Sequence, residues 1–117
     1  MERRHYHRFS YSAEARLCAD EHISRVHLLD LSLKGALLEN SSSKQFTHDQ
    51  PCTLSIELSE GDQQIHMQGH IAHSRDNHLG FMCDSMDISS ATELRRLVEL
   101  NLADEALLQR DLRALVE

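Results

Sequence analysis

Residues 9–18, Phe9-Ser10-Tyr11-Ser12-Ala13-Glu14-Ala15-Arg16-Leu17-Cys18, alternate without a break. Phe9, Tyr11, Ala13, Ala15 and Leu17 fall on one side, and Ser10, Ser12, Glu14, Arg16 and Cys18 on the other. Successive side chains of an extended chain point to opposite faces, so this stretch reads as a strand with one face buried and one wet. The same period returns downstream. A second extended run covers about residues 23–29 and a third covers 36–39, with the turn signal Asp30-Leu31-Ser32-Leu33-Lys34-Gly35 between them. After the polar stretch Asn40 to Gln50, Cys52, Leu54, Ile56 and Leu58 resume the alternation. Ser59-Glu60-Gly61-Asp62 is a hairpin connection with a glycine available for positive φ, and Ile65, Met67, Gly69, Ile71 and His73 alternate beyond it. Arg75-Asp76-Asn77-His78 turns the chain once more into Leu79-Gly80-Phe81-Met82-Cys83, where Leu79, Phe81 and Cys83 share a face.

At Asp84 the period changes from two to about 3.6, the signature of helix. Ser90-Ala91-Thr92-Glu93 has the Ser-x-x-Glu form of a capping box, in which hydroxyl and carboxylate satisfy exposed backbone donors reciprocally, so a helix is expected to start there. Leu94, Leu97 and Val98 form its apolar stripe, and Asn101 is expected near its end. A second helical segment is expected from near Asp104, with Leu108, Leu112 and Leu115 as the face to bury on the barrel or a partner. Six short antiparallel strands followed by helices predict a mainly β fold with α: a six-stranded antiparallel β-barrel with C-terminal helices across one end.

With 117 residues, 40% hydrophobic and 26% charged, the composition is that of one ordinary domain spanning residues 1–117. Within it, residues 1–8 form an Arg-rich arm, 9–83 the barrel and 84–117 the helices. No apolar run approaches the roughly 20 residues of a membrane-spanning helix, and the first residues lack the apolar core of a secretory signal. A cytoplasmic monomer without membrane insertion is the expectation. Cys18, Cys52 and Cys83 are odd in number, widely separated and all in strands, two of them on core faces, so buried structural thiols are expected rather than a disulfide framework. The net charge is −7, yet residues 1–40 hold six basic and six acidic side chains, so the whole excess lies downstream. Locally the balance reverses, because Arg3, Arg4 and Arg8 stand against Glu2 alone in the first eight residues. A nucleic-acid polymer needs a broad basic surface, which this chain lacks; a small phosphorylated ligand fits a local anion site.

Two patterns carry the chemistry of such a site: Arg4-His5-Tyr6-His7-Arg8 and Asp30-Leu31-Ser32-Leu33-Lys34-Gly35. A guanidinium presents a planar fork of donors that grips phosphate oxygens, or the O6 and N7 acceptors of guanine, bidentately. A carboxylate at Asp30 accepts from the N1 and N2 donors on guanine's other edge, so arginine and aspartate together read both. Ser32 can bond a phosphate oxygen, and Gly35 permits a strained turn or a close approach to the ligand. Each pattern also has a purely structural reading. A basic arm can simply be solvated, and Asp30-x-Ser32 can be an Asx turn.

Together the two patterns resemble the signature of the PilZ domains, bacterial receptors for cyclic di-GMP: Arg-x-x-x-Arg, then twenty to thirty residues, then Asp or Asn-x-Ser-x-x-Gly. Arg4, Arg8, Asp30, Ser32 and Gly35 fill every specified position, with twenty-one residues between the blocks. His78-Leu79-Gly80-Phe81 is similar to the family's last barrel strand. Residues 94–102 and the helix after them look like a stand-alone PilZ subgroup. The resemblance implies a six-stranded barrel that binds one or two molecules of cyclic di-GMP through those five residues, without a cofactor. It implies further contacts from Arg3 to phosphate, from His73 stacking on a base, and from Arg75 as a cation over a base or phosphate. A one-domain receptor signals by changing its surface, so an unidentified effector protein is the implied partner and the chain is an adaptor. The alternative is a PilZ-fold interaction module that does not bind nucleotide.

Catalytic and metal chemistry are not expected. His66 and His70 share a strand face while His73 points oppositely, and no Cys-x-x-Cys or His-Glu-x-x-His pattern occurs. No Gly-x-Ser-x-Gly elbow, phosphate-binding loop of NTPases or paired catalytic carboxylates is present either.

Overall fold

The computed structural model of the chain describes residues 8–41, 45–58 and 63–116, with residues 105–116 given as helical backbone. Six strands come first: β1 (Phe9–Ala19), β2 (His22–Leu31), β3 (Gly35–Glu39), β4 (Pro51–Glu57), β5 (Gln64–Arg75) and β6 (His78–Met86). One helix, α1 (Ile88–Val116), follows. The strands close into an antiparallel barrel in the order β1-β2-β3-β6-β5-β4, because β1 pairs with β2 on one side and β4 on the other. Ala15, Leu17, Leu28, Leu38, Leu54, Ile56, Ile65, Met67, Ile71 and Leu79 fill its interior. Their alternation with polar neighbours is the two-residue period of the sequence made solid.

The β1–β2 and β5–β6 hairpins are closed by Asp20-Glu21 and Asp76-Asn77, all four residues at φ between 51° and 67°. Two central residues at positive φ give the turn whose twist matches that of the flanking strands, and the Asp and Asn side chains tolerate that backbone better than most. Between β3 and β4, Phe46 is buried in the core, and the loop after it docks on β5: the Asp49 N–H donates to the Ile71 carbonyl (2.7 Å) and the Ile71 N–H to the Gln50 carbonyl (3.0 Å). The connection expected at Ser59–Asp62 lies outside the described residues.

The helical region differs from expectation in two ways. Its cap is Asp87, not Ser90: the Asp87 carboxylate accepts from the Ser90 N–H (3.1 Å) and hydroxyl (2.7 Å), and the Ala91 N–H donates to the Asp87 carbonyl. Those bonds from Ser90 hold the Asp87 carboxyl below its ordinary range. Ser90 is instead buried in the first turn, its hydroxyl accepting from the His66 N–H of β5 (2.9 Å). Second, the helix does not stop near Asn101 but runs as one element to Val116. Neither Gly nor Pro interrupts residues 99–116, and the Leu, Ala, Glu, Gln and Arg that dominate there are good helix formers. Leu94 and Val98 are buried against the barrel, with Leu97 partly so, whereas Leu100 and Leu102 are exposed. The side chains of Leu108, Leu112 and Leu115 lie outside the described residues. Among the described residues no helix is long and apolar enough to cross a membrane.

Candidate functional site

Four backbone pairings lay one row of residues across five strands: Ser10 opposite Asp30, Asp30 opposite Leu37, Leu37 opposite Gly80, and Gly80 opposite His73. The row crosses the outer surface of the barrel, and its members from Asp30 to His73 line a cleft of about 480 Å³. Arg8 and Asp30 stand at one side and His73 at the far side; the Ser32–Gly35 turn, Lys34 included, also lines the cleft, with Leu37, Phe81 and Met82 supplying apolar surface. Size and lining suit a small molecule with an apolar face and a few charged groups.

Irregular pairing aims the polar side chains into this cleft. Register shifts occur between Ser10 and Ala13 in β1, between Leu28 and Asp30 in β2, and between Ile71 and His73 in β5. Such bulges re-aim side chains and are common beside functional sites. The shift in β5 corrects the expected orientation of His73. Strict alternation carries His73 inward with Ile71, opposite His66 and His70; the extra residue turns it out onto the same surface as those two, and Ile71 alone stays buried. Among the described residues no group of His, Cys, Asp and Glu is placed to hold a metal.

Asp30 already has partners within the chain. Its carboxylate accepts from Arg8 Nη2 at 3.2 Å, and the Ser10 hydroxyl lies 3.5 Å from its other oxygen. Both members of the ion pair stay partly exposed, Arg8 at 48% and Asp30 at 28%. Ser32, by contrast, is buried, and its polar atoms serve the turn: its N–H donates to the Gly35 carbonyl (2.9 Å), and its hydroxyl accepts from the Lys34 N–H (3.1 Å). The Cys83 N–H then ties the turn to β6 through the Lys34 carbonyl (2.7 Å).

Gly35 has a structural reason different from the strained turn or ligand approach inferred from sequence. A Cβ there would sit inside 3.0 Å of the Phe81 carbonyl oxygen on β6, so the two strands pair only because position 35 lacks a side chain. Gly80 is required by a neighbour of another kind. The His73 imidazole lies over it, where a Cβ would stand.

Of the residues singled out from sequence, Arg8, Asp30, Ser32, Gly35 and His73 therefore meet in one cleft. Arg3 and Arg4 lie outside the described residues. Arg75 does not line the cleft; it sits at the β5–β6 hairpin, 88% exposed and 3.8 Å from Asp76. Lys34, Leu37 and Met82 were missed. The signal for Met82 was present, since Phe81 and Cys83 on the inner face put position 82 outside, whereas Lys34 occupies a motif position that any residue can fill.

The PilZ domain family matches residues 2–100 of the chain. Among solved structures, the chain is similar to the PilZ domain with c-di-GMP of YcgR from Escherichia coli, with 19% identity and a TM-score of 0.70 over 94% of this chain and 98% of that one. It is similar to the Bacillus subtilis inhibitor of motility MotI/DgrA at 15% identity and a TM-score of 0.72, covering 88% of this chain but 53% of that one. The PilZ domain of CeSA from a cellulose synthesizing bacterium is similar at 17% identity and a TM-score of 0.64, covering 79% and 94% of the two chains. At such identities the likeness is one of fold: a six-stranded antiparallel barrel followed by a helix.

Proposed function

The chain belongs to the PilZ domain family, and from that premise we propose that it is a cyclic di-GMP receptor, with the cleft over β2, β3, β6 and β5 as its binding site. The observation that carries this reading is the convergence of Arg8, Asp30, Ser32, Gly35 and His73, distant in sequence, on one concave surface. Arg8 and Asp30 form an ion pair at 3.2 Å. Guanine can replace each partner, offering its O6 and N7 acceptors to the guanidinium and its N1–H and N2–H donors to the carboxylate. Lys34 and Arg8 then face the phosphates, joined by Arg4 and Arg3 of the arm. Ser32 acts by holding the turn in shape. Binding rather than catalysis is the activity, and an effector protein reads the surface that one or two bound ligands create.

Calorimetric titration with cyclic di-GMP, against cyclic GMP and GTP as controls, tests the proposal on the wild type and on Arg4→Ala, Arg8→Ala and Asp30→Ala. Loss of one charge-assisted bidentate contact costs about 1.5–3 kcal/mol, roughly ten- to hundredfold in Kd. Selective binding that weakens by this factor in Arg4→Ala and Arg8→Ala is the expected result. Absence of wild-type binding overturns the receptor reading and favours a ligand-independent interaction module of the same fold.

A further inference from the structure

We propose that Met82 is a specificity-determining residue of the cleft: together with Leu37 it forms an apolar shelf that takes the flat face of a guanine base of the ligand. The inference rests on the receptor reading above and assigns one part of the ligand to one part of that site. Met82 is 39% exposed although it stands in mid-strand between the buried Phe81 and Cys83. Across the β3–β6 pair each member of the shelf faces a glycine, Met82 opposite Gly35 and Leu37 opposite Gly80. Neither opposed residue has a side chain that could cover it. On the β5 side His70 stands opposite Met82 but pairs with Asp84 at 3.0 Å, and neither of these two lines the cleft.

Diagonal neighbours on one face of an antiparallel pair, as Leu37 and Met82 are, lie about 7–8 Å apart, a separation that one bicyclic base spans. Arg8 and Asp30 offer groups for the polar edges of guanine, and its flat faces need apolar partners instead. A thioether on an unbranched chain is polarizable and adapts to the face of an aromatic ring. For a phosphate the same shelf is a poor seat, since an anion there would lose hydration and gain no donor from Met82 or Leu37. Loss of the methionine contact from a half-open cleft should therefore weaken binding about three- to tenfold in Kd. Apolar contact is not screened by salt, so that factor should hold at every ionic strength, whereas the loss from a removed charge shrinks as salt rises.

The test is calorimetric titration with cyclic di-GMP at low, physiological and high salt on wild type, Met82→Ala and Met82→Leu, with Arg8→Ala as the reference for a lost charge. Urea denaturation of each variant checks the fold, and because Met82 points outward its variants should keep the wild-type midpoint. Met82→Ala is expected to bind about three- to tenfold more weakly than wild type, by the same factor at each salt concentration. Met82→Leu, which keeps apolar bulk without the sulfur, should lose less. A Met82→Ala protein that binds within about twofold of wild type overturns the inference and leaves the receptor reading standing. A loss in Met82→Ala that shrinks with salt as it does in Arg8→Ala also overturns it, by placing a phosphate rather than a base on the shelf. A wild type that binds at no salt concentration overturns both the inference and the receptor reading.

Discussion

Gly35 and Gly80 show how one missing methyl group serves two different ends. At Gly35 the obstacle to a side chain is the Phe81 carbonyl, a backbone atom inside a paired strand that cannot yield without parting β3 from β6. Gly35→Ala is therefore expected to destabilise the barrel by about 1–3 kcal/mol, read as a lower midpoint in urea denaturation. At Gly80 the obstacle is the His73 ring, which can rotate into solvent. Gly80→Ala should unfold within about 0.5 kcal/mol of wild type, yet lose the imidazole from the cleft floor. If the two variants are equally destabilised, backbone approach is not what selects glycine at position 35. The motif positions thus divide into Arg8 and Asp30, which present groups to the cleft, and Ser32 and Gly35, which build the turn and strand pairing beneath it.

Element ends are decided by contacts that a local pattern does not contain. Ser90-x-x-Glu93 looks like a helix start, but Ser90 is buried with its hydroxyl on the His66 N–H of β5, and the cap falls to Asp87, three residues earlier. Ser90→Ala removes the acceptor of the His66 N–H and is expected to cost about 1–3 kcal/mol by urea denaturation, more than loss of a solvent-exposed hydroxyl would. The Asp87 carboxyl is held below its ordinary value of 3.8 by the Ser90 hydroxyl and N–H. A carboxyl lowered by folding contributes stability that is fully present above 3.8 and is lost as pH falls through its value in the folded chain. Asp87→Asn keeps a capping oxygen without the titration, so its stability should fall less than that of wild type between pH 5 and pH 2.5 in parallel denaturation curves. An equal fall in both proteins would show that the Asp87 carboxylate contributes nothing to acid sensitivity.

Over the whole molecule, stability and reactivity follow distance from the barrel interior. Leu94 is fully buried where α1 crosses the barrel, and Leu102, eight residues on, is 44% exposed. Leu94→Ala is expected to cost about 2–5 kcal/mol and Leu102→Ala no more than about 0.5, as measured by denaturation midpoints. The thiols follow the same gradient. Burial pushes Cys52 up to about 11 and raises Cys83 as well, while Cys18 is exposed on β1. A disulfide reagent at pH 8 should therefore modify Cys18 in the native protein and reach Cys52 and Cys83 only on unfolding; equal reactivity of all three would contradict the assigned strand faces.

Strands, hairpin turns and core faces were legible in the residues because each depends on neighbours one to four positions away. Period-two alternation and short polar turns act locally, and a one-residue slip would expose the whole apolar set of a strand. Asp30-x-Ser32-x-x-Gly35 was legible as a turn for the same reason, as a short run of chemically specific residues. Three features were not: the single continuous helix, the cap at Asp87 and the outward turn of His73. The first needs to be judged over the whole of residues 88–116, since Asn101 alone mimics an end. The second depends on a hydroxyl meeting a strand 24 residues earlier, and the third on one extra residue in β5 opposite β6. The sequence by itself determined which face of each strand is apolar. The tertiary structure alone decided that Arg8, Asp30, Lys34 and His73 share one cleft, because barrel closure sets register, and register sets the neighbours of residues far apart in the chain.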